Sequence, residues 1–379
     1  MSEIVQSDNS NDYGQRLRSY MLREIYEQPE ALERTIRAHM SADGLLGTLL
    51  DPLEATVRNA RRIVIAASGS SRHAGLAGEI MLEDMADIRV DVEYASEFEC
   101  RTSVGPIATV VVISQSGETS DTVAAQRTAR DLNAQTIAIA NVKHSTLALE
   151  ATVPVYTHAG PELSIPATKS FTSQLAVLYM LALHLARKRN PGAVDDNIAS
   201  LTQVPSAIEA CLGDWDASMA ECAARYKDAP GFLFVGRAIH YAIAREGALK
   251  VKETSYVHAE GYPTGELLHG PQALVDENLP VVAIVTCDRQ DPDSVMRYEK
   301  SLAVLEKIKS EGGKLIALAT EDCKDIRRFS DHVIFIPRTP ELLLPLVEVV
   351  PLQLFAYHIA TMKGYDVDRP RNLVKAVVE

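Results

Sequence analysis

Along most of this chain, short and wholly apolar runs take turns with longer stretches whose apolar positions recur every third or fourth residue. Arg62-Ile63-Val64-Ile65-Ala66-Ala67 has no polar alternation, the pattern of a strand covered on both faces. Val90–Tyr94, Thr109–Ile113 and Thr136–Ala140 repeat it, and Val153-Pro154-Val155-Tyr156 is a weaker fifth. Ahead of them the periodicity predicts helices over Met21–Met40 and Leu49–Arg61. The texture then starts again. Gly231–Gly236, Val281–Val285, Lys314–Leu318 and His332–Ile336 read as strands, with a helical stretch between most pairs. Each half closes on a long apolar helix, Ser170–Lys188 and then Leu343–Lys363. Corresponding elements lie roughly 170–180 residues apart, far beyond the length of a solenoid repeat, so the spacing predicts a domain duplication. The expected fold class is α/β. Two tandem doubly wound parallel-sheet domains follow an N-terminal helical segment and are joined through Asn190–Tyr226, which contains Pro191 and Pro205. Such sheets take ligands at the carboxyl ends of their strands, so chemistry is sought in the loops that follow them.

Charge and composition narrow the partners. A chain of 379 residues buries large cores without covalent staples. A net charge of −13 gains nothing from a polyanion, so no nucleic acid is expected. A small anionic substrate remains open, because helix N-termini supply local positive potential. Cys100, Cys211, Cys222, Cys287 and Cys323 are odd in number and form no C-x-x-C. That argues against a disulfide scaffold or structural zinc and for a reducing compartment. Met1–Gly14 lacks the basic and apolar regions of a signal peptide. Leu175–Ala186, read as the most apolar helix, is short of the roughly 20 residues that span a bilayer and carries His184. A cytoplasmic protein with no membrane association is the expectation.

Two loops stand out. Ser68-Gly69-Ser70-Ser71 follows the first strand, and Ser114-Gln115-Ser116-Gly117-Glu118-Thr119 follows the third. Serine and glycine are ordinary turn and N-cap residues, but two such loops in one sheet aim many donors at one anion. Neither matches the patterns of nucleoside triphosphate or dinucleotide sites. In the second half, Glu246, Lys250 and Glu253 fall at i, i+4 and i+7 on one face of a predicted helix. This is either a solvated salt-bridge stripe or part of a proton-transfer set. Glu260, Glu266 and His269 follow in a glycine-broken loop and add carboxylates and an imidazole. No metal-ligand pattern is present, and no metal or organic cofactor is expected.

These segments together resemble one family. From about Met21 to Glu379 the chain resembles the isomerase half of glutamine–fructose-6-phosphate amidotransferase (glucosamine-6-phosphate synthase), which is built from two flavodoxin-like sugar-isomerase (SIS) domains. The matching segments are Met21–Pro29, Ser114–Thr119, Glu246–Lys250, Lys252-Glu253, Gly265-Glu266, His269-Gly270-Pro271, Pro370–Leu373 and Lys375. The resemblance implies a lead and linker helix over 1–48, SIS domains over 49–200 and 201–364, and a catalytic tail over 365–379. It implies that Gly69, Ser70, Ser71, Ser114, Gln115, Ser116, Thr119 and Ile165 bind a hexose or hexosamine phosphate. Glu253 would move the proton between C1 and C2, with Lys250 and Glu246 in support. His269 would open the sugar ring, reaching in from a second subunit, so a homodimer with shared sites is expected. Lys375 would form a Schiff base with the ketose.

The departures bear on the reaction. The family's glutaminase domain is expected to be missing, with Ser2 in place of the N-terminal cysteine. Ser68 stands where a cysteine is usual, Pro166-Ala167 replaces Ala-Ser, and Leu268 replaces a lysine. With the proton-transfer residues kept and the ammonia generator gone, the reading is a glucosamine-6-phosphate deaminase. Synthesis of glucosamine 6-phosphate from free ammonia, or with a separately encoded glutaminase, is the alternative. A non-catalytic sugar-phosphate sensor is a further one, disfavoured by the retention of Glu253, His269 and Lys375.

Overall fold

The computed structural model describes residues 19–40, 62–101, 109–187 and 191–376. The expected polar lead and the helix Leu49–Arg61 lie outside the described residues. The expected stretch Met21–Met40 is two helices, α1 (Tyr20–Tyr26) and α2 (Gln28–His39). Ser19 caps α1 through its side chain, and Pro29 sits in the first turn of α2, where a missing N–H leaves no bond unmade.

The first sheet holds β1 (Arg62–Ala67), β2 (Arg89–Tyr94), β3 (Thr109–Ser114), β4 (Gln135–Ala140) and β5 (Val153–Tyr156), interleaved with α3 (Gly69–Ala86), α4 (Ala95–Glu99), α5 (Ser120–Asp131) and α6 (Thr146–Glu150). Helix α7 (Lys169–Ala186) follows, then α8 (Pro191–Tyr226). The second sheet holds β6 (Gly231–Gly236), α9 (Ile239–Ser255), β7 (His258–Pro263), β8 (Val281–Ile284), α10 (Pro292–Ser310), β9 (Leu315–Thr320) and β10 (His332–Ile336), closed by α11 (Leu344–Met362). The strand orders are β2-β1-β3-β4-β5 and β10-β9-β8-β6-β7, the same winding twice, and every strand pair is parallel.

Alternate strand residues feed different layers, as a two-residue side-chain period requires. Ile63, Ile65, Val111 and Ile113 join Phe232, Phe234, Val282 and Ile284 in one core shared by both halves and built around α7 and α11. Val64, Ala66, Val110 and Val112 face outward onto Phe98 and Val123. Leu233, Val235, Val281 and Ala283 do the same against Leu305 and Ile308. Each such side chain contributes about 1.5–3 kcal/mol when fully buried, so the shared layer fixes the two halves against each other.

Three expectations change. Helix α11, not the stretch at Leu175, is the apolar extreme. Glu341–Met362 has the length and hydropathy, 1.7, to cross a membrane, yet 94% of that stretch is buried inside the protein. The connector Asn190–Tyr226 is one long helix from Pro191 with Pro205 inside it. Glu260 lies in an edge strand rather than a loop. Gly261 lets that strand pack on α9, since a Cβ there would come within 2.7 Å of the Arg245 Cα.

A buried ionic cluster sits at the carboxyl end of the second sheet. His240 Nδ1 lies 2.7 Å from Glu348 and Nε2 3.2 Å from Glu341, which also accepts from Arg297 at 2.9 Å. Thr286 donates to Glu348, and Ser294 to Glu341. Burial opposes the imidazolium, but the two carboxylates outweigh it and raise its pKa to about 10. Burial pushes Glu341 up, and His240, Ser294 and Arg297 bring it down to about 2. The raised histidine stabilises the fold fully below its unfolded value of 6.5 and loses that contribution as pH rises through about 10. The depressed carboxylate acts above 4.5 and loses its contribution as pH falls through about 2. Stability should therefore decline on both sides of that interval. His240→Ala, which strands two buried carboxylates, should cost about 3–5 kcal/mol. Urea unfolding across pH checks both; a flat profile for wild type would contradict the assignment.

Candidate active site

The serine loops sit where the winding of the first sheet reverses. Ser68 follows β1 in extended conformation and occupies the N-cap position of α3 without a side-chain bond, so Gly69, Ser70 and Ser71 form the first turn of that helix. The second loop is folded around Ser114, whose Oγ lies 2.9 Å from Thr119 Oγ1 and 3.5 Å from Ser116 Oγ and accepts from Gly117 N at 3.1 Å. Gly117 has φ +68, and a Cβ there would come 2.1 Å from Ser145 Oγ, so only glycine fits. Thr119 precedes α5, so two helix N-termini, with their unpaired N–H groups, open beside the hydroxyls. Ser71 is held by Gln174 of α7 at 3.1 Å.

Helix α9 brings the proton-transfer face to the same place. Lys250 is wholly buried, and its Nζ donates to Glu253 Oε2 at 2.6 Å and to Ser70 Oγ at 3.1 Å, with Glu246 Oε1 3.4 Å away. Burial opposes the ammonium, but Glu246 and Glu253 outweigh it and hold the group above the ordinary lysine range. Glu246 is also wholly buried and accepts from His73 Nδ1 at 2.8 Å. Burial pushes its carboxyl up, and Lys250, then His73, bring it below its usual value. Glu253 keeps 21% of its side chain exposed, so it is the member of the row open to a ligand. A solvated salt-bridge stripe is therefore not what the spacing of these three residues produced.

The tail forms a second cluster. Lys375 Nζ donates to Glu162 Oε2 and to the Ser164 carbonyl, both at 2.6 Å. Glu162 also accepts from Thr168 N at 3.0 Å, Ser170 N at 3.1 Å and Ser170 Oγ at 2.8 Å. Burial pushes this carboxyl up, and Lys375 and these donors hold it below its ordinary value. Glu24 of α1 accepts from Ser164, and Asp368 accepts from Ser19 Oγ, Tyr20 N and Met21 N at 3.0, 2.9 and 2.7 Å. The tail is thus tied to the N-terminal helix. Ile165 donates its N–H to the Asp368 carbonyl at 3.0 Å. Gln115 and Glu162 share a cavity of about 930 Å³ whose wall includes Arg34, Arg37 and Lys143.

Within one chain the structure joins Ser70 to Lys250, Glu246 and Glu253, and Lys375 to Glu162. It does not bring in His269. That residue is exposed on a 3-10 turn, Glu266–His269, and among the described residues its side chain has no hydrogen bond or ion pair. Two participants escaped the sequence reading. His73 is a lone histidine on a helix that pattern alone assigns to packing, and Glu162 is a lone acid between Pro161 and Leu163.

The SIS domain model matches residues 56–184 and again 226–363. The chain is 44% identical to the glutamine–fructose-6-phosphate aminotransferase (isomerizing) of Chlorobaculum tepidum, over 94% of this chain and 58% of that protein. It therefore spans just over half the length of the curated relatives it matches. Among solved structures, the C-terminal domain of glucosamine-fructose-6-phosphate aminotransferase from Francisella tularensis superposes with a TM-score of 0.87 at 36% identity, covering 93% of this chain and 98% of that one. The glucosamine-6-phosphate deaminase of Thermotoga maritima shares the fold, with a TM-score of 0.69 at 22% identity, covering 95% of this chain and 100% of that one. With two matches to the same model, one on each sheet, the chain belongs to the SIS domain family and corresponds to the isomerase half of the glutamine–fructose-6-phosphate aminotransferases.

Proposed function

We propose that this chain converts glucosamine 6-phosphate to fructose 6-phosphate and ammonia by general acid–base chemistry. The observation that carries the reading is the buried row Glu246–Lys250–Glu253, joined to Ser70 at the mouth of the serine loops. A phosphate held by Ser70, Ser71, Ser114, Ser116 and Thr119, with Gln115 beside them, and the sugar resting against Ile165, would fix the carbon chain over Glu253. His269 of a second copy opens the ring. Glu253 takes the C2 proton of the open aldose, which gives an enolamine. Reprotonation at C1 gives a ketimine, and water releases ammonia. Lys250, kept charged by its two carboxylates, donates to Glu253 and holds it in place.

A second reading runs toward synthesis from ammonia, free or delivered by a separate glutaminase. The retention of Lys375, an amine held by Glu162 and the Ser164 carbonyl, favours it, since a Schiff base there would activate a ketose. The primary test is ammonia release with stoichiometric fructose 6-phosphate from glucosamine 6-phosphate, without glutamine. Release supports the deaminase reading. No release, with glucosamine 6-phosphate formed from fructose 6-phosphate and ammonium, supports the synthetic one. Inactivity in both directions discards both.

A further inference from the structure

Helix α9, which carries Glu246, Lys250 and Glu253, ends at Ser255 on a strained cap. Tyr256 takes φ 58 and ψ 19 there, the left-handed conformation in which helix ends favour glycine or asparagine. A bulky side chain in that region points to a demand from outside the helix. The demand is visible on the ring. Tyr365, just past α11, packs against it with centroids 4.7 Å apart, and the Arg371 guanidinium lies 4.2 Å from its centre. The Tyr256 hydroxyl accepts from the Arg371 N–H at 2.9 Å. Arg371 is the first central residue of a turn. Leu373 N closes it on the Pro370 carbonyl at 3.4 Å, and Asn372 has φ 61. Lys375 follows that turn by two residues.

The tail is therefore gripped at two points. Asp368 holds the start of α1 with its side chain and takes the Ile165 N–H on its carbonyl. Arg371 rests on the end of α9. We propose that Tyr256 is a positioning residue that sets the tail carrying Lys375 in register with the helix carrying Glu253, so that amine and carboxylate meet one bound sugar. The proposal rests on the reading of Lys375 as the amine that forms a Schiff base with a ketose. Tyr256 acts through the turn Pro370–Leu373, whose place on α9 directs the short path to Lys375. An amine held in line with a carbonyl reacts as an intramolecular partner, so loss of the joint lowers rate and spares binding. The loops proposed to grip the phosphate belong to the first sheet.

The test is capture of the imine. The full chain is incubated with fructose 6-phosphate and cyanoborohydride. The amine adds to C2, water leaves, and hydride reduces the iminium to a secondary amine, which peptide mass spectrometry counts at Lys375. Tyr256→Gly removes the ring and hydroxyl and relieves the left-handed backbone. At saturating fructose 6-phosphate it should slow capture at least about tenfold, with the dissociation constant within about threefold of wild type. Tyr256→Phe keeps the ring and loses only the acceptor, and should slow capture about threefold. A role confined to capping α9 predicts no loss in Tyr256→Gly, since glycine is the better cap. Wild-type capture in both variants, or slower capture matched by an equal loss of affinity, overturns the proposal. Should Tyr256→Gly fail to fold, wild-type capture by Tyr256→Phe alone overturns it. A wild-type protein that binds fructose 6-phosphate but gives no adduct at Lys375 removes the reading of that lysine instead, and this inference with it.

Discussion

Glu253→Gln is expected to lower ammonia release from glucosamine 6-phosphate by about 10²–10⁴-fold while leaving KM within about threefold. The amide keeps the size of the carboxylate and a bond to Lys250, now 2.6 Å from Oε2. It cannot accept a proton from carbon. The groups proposed to grip the phosphate belong to other loops, so binding should persist. Steady-state kinetics with a coupled ammonia assay reads both numbers. A variant with near-normal kcat would remove Glu253 from the chemistry and leave the row a purely structural device.

Lys250→Met should act on stability as well as rate. The ammonium is the main counter-charge for Glu246, whose side chain is wholly buried. Removing one partner of such a pair costs about 3–5 kcal/mol, and the change has a pH signature. In wild type the depressed Glu246 carboxylate adds stability above its unfolded value of 4.5. Without Lys250, burial, the largest effect on this group, is opposed only by His73 and Ser70, and the folded value should rise above 4.5. A raised carboxyl stabilises only at low pH and loses that contribution as pH increases. The deficit against wild type should therefore be smallest at acid pH, below 4.5, where the wild-type contribution is being lost, and widen toward neutrality. Urea melts of both proteins at several pH values decide it; a constant deficit would show that packing, not charge, dominates.

Much of this was legible in the chain, and the limits have physical causes. Continuous apolar strands announce parallel sheets, and the repeat of their texture announces the duplication. Edge strand β7 hid because Gly261 and Pro263 read as breakers. Its pairing to β6 depends on α9 approaching closely, which local sequence does not encode. The helix α8 hid behind Pro191 and Pro205. The i, i+4, i+7 face of α9 was visible, but whether it met water was not. Its burial depends on Ser70 and His73, which stand 180 and 173 residues away from their partners. Lys375 carried no local signal of any kind, and only the family resemblance pointed to it. The correspondence to the isomerase half was likewise open to resemblance, since its motifs span both domains.

The bonds between Asp368 and the start of α1 bridge up to 349 residues. Closing so long a loop carries little extra entropy, since the cost grows only logarithmically with length, but the bonds form only once the helices and sheets between them have docked. The Lys375 pocket, which depends on that clasp through Ser164 and Glu24, should then open before either sheet does. On the clock of hydrogen exchange, the amides of Tyr20, Met21 and Ile165 should open together and well before those of β1 or β8. Mild heat or denaturant would silence the tail while both sheets still stand.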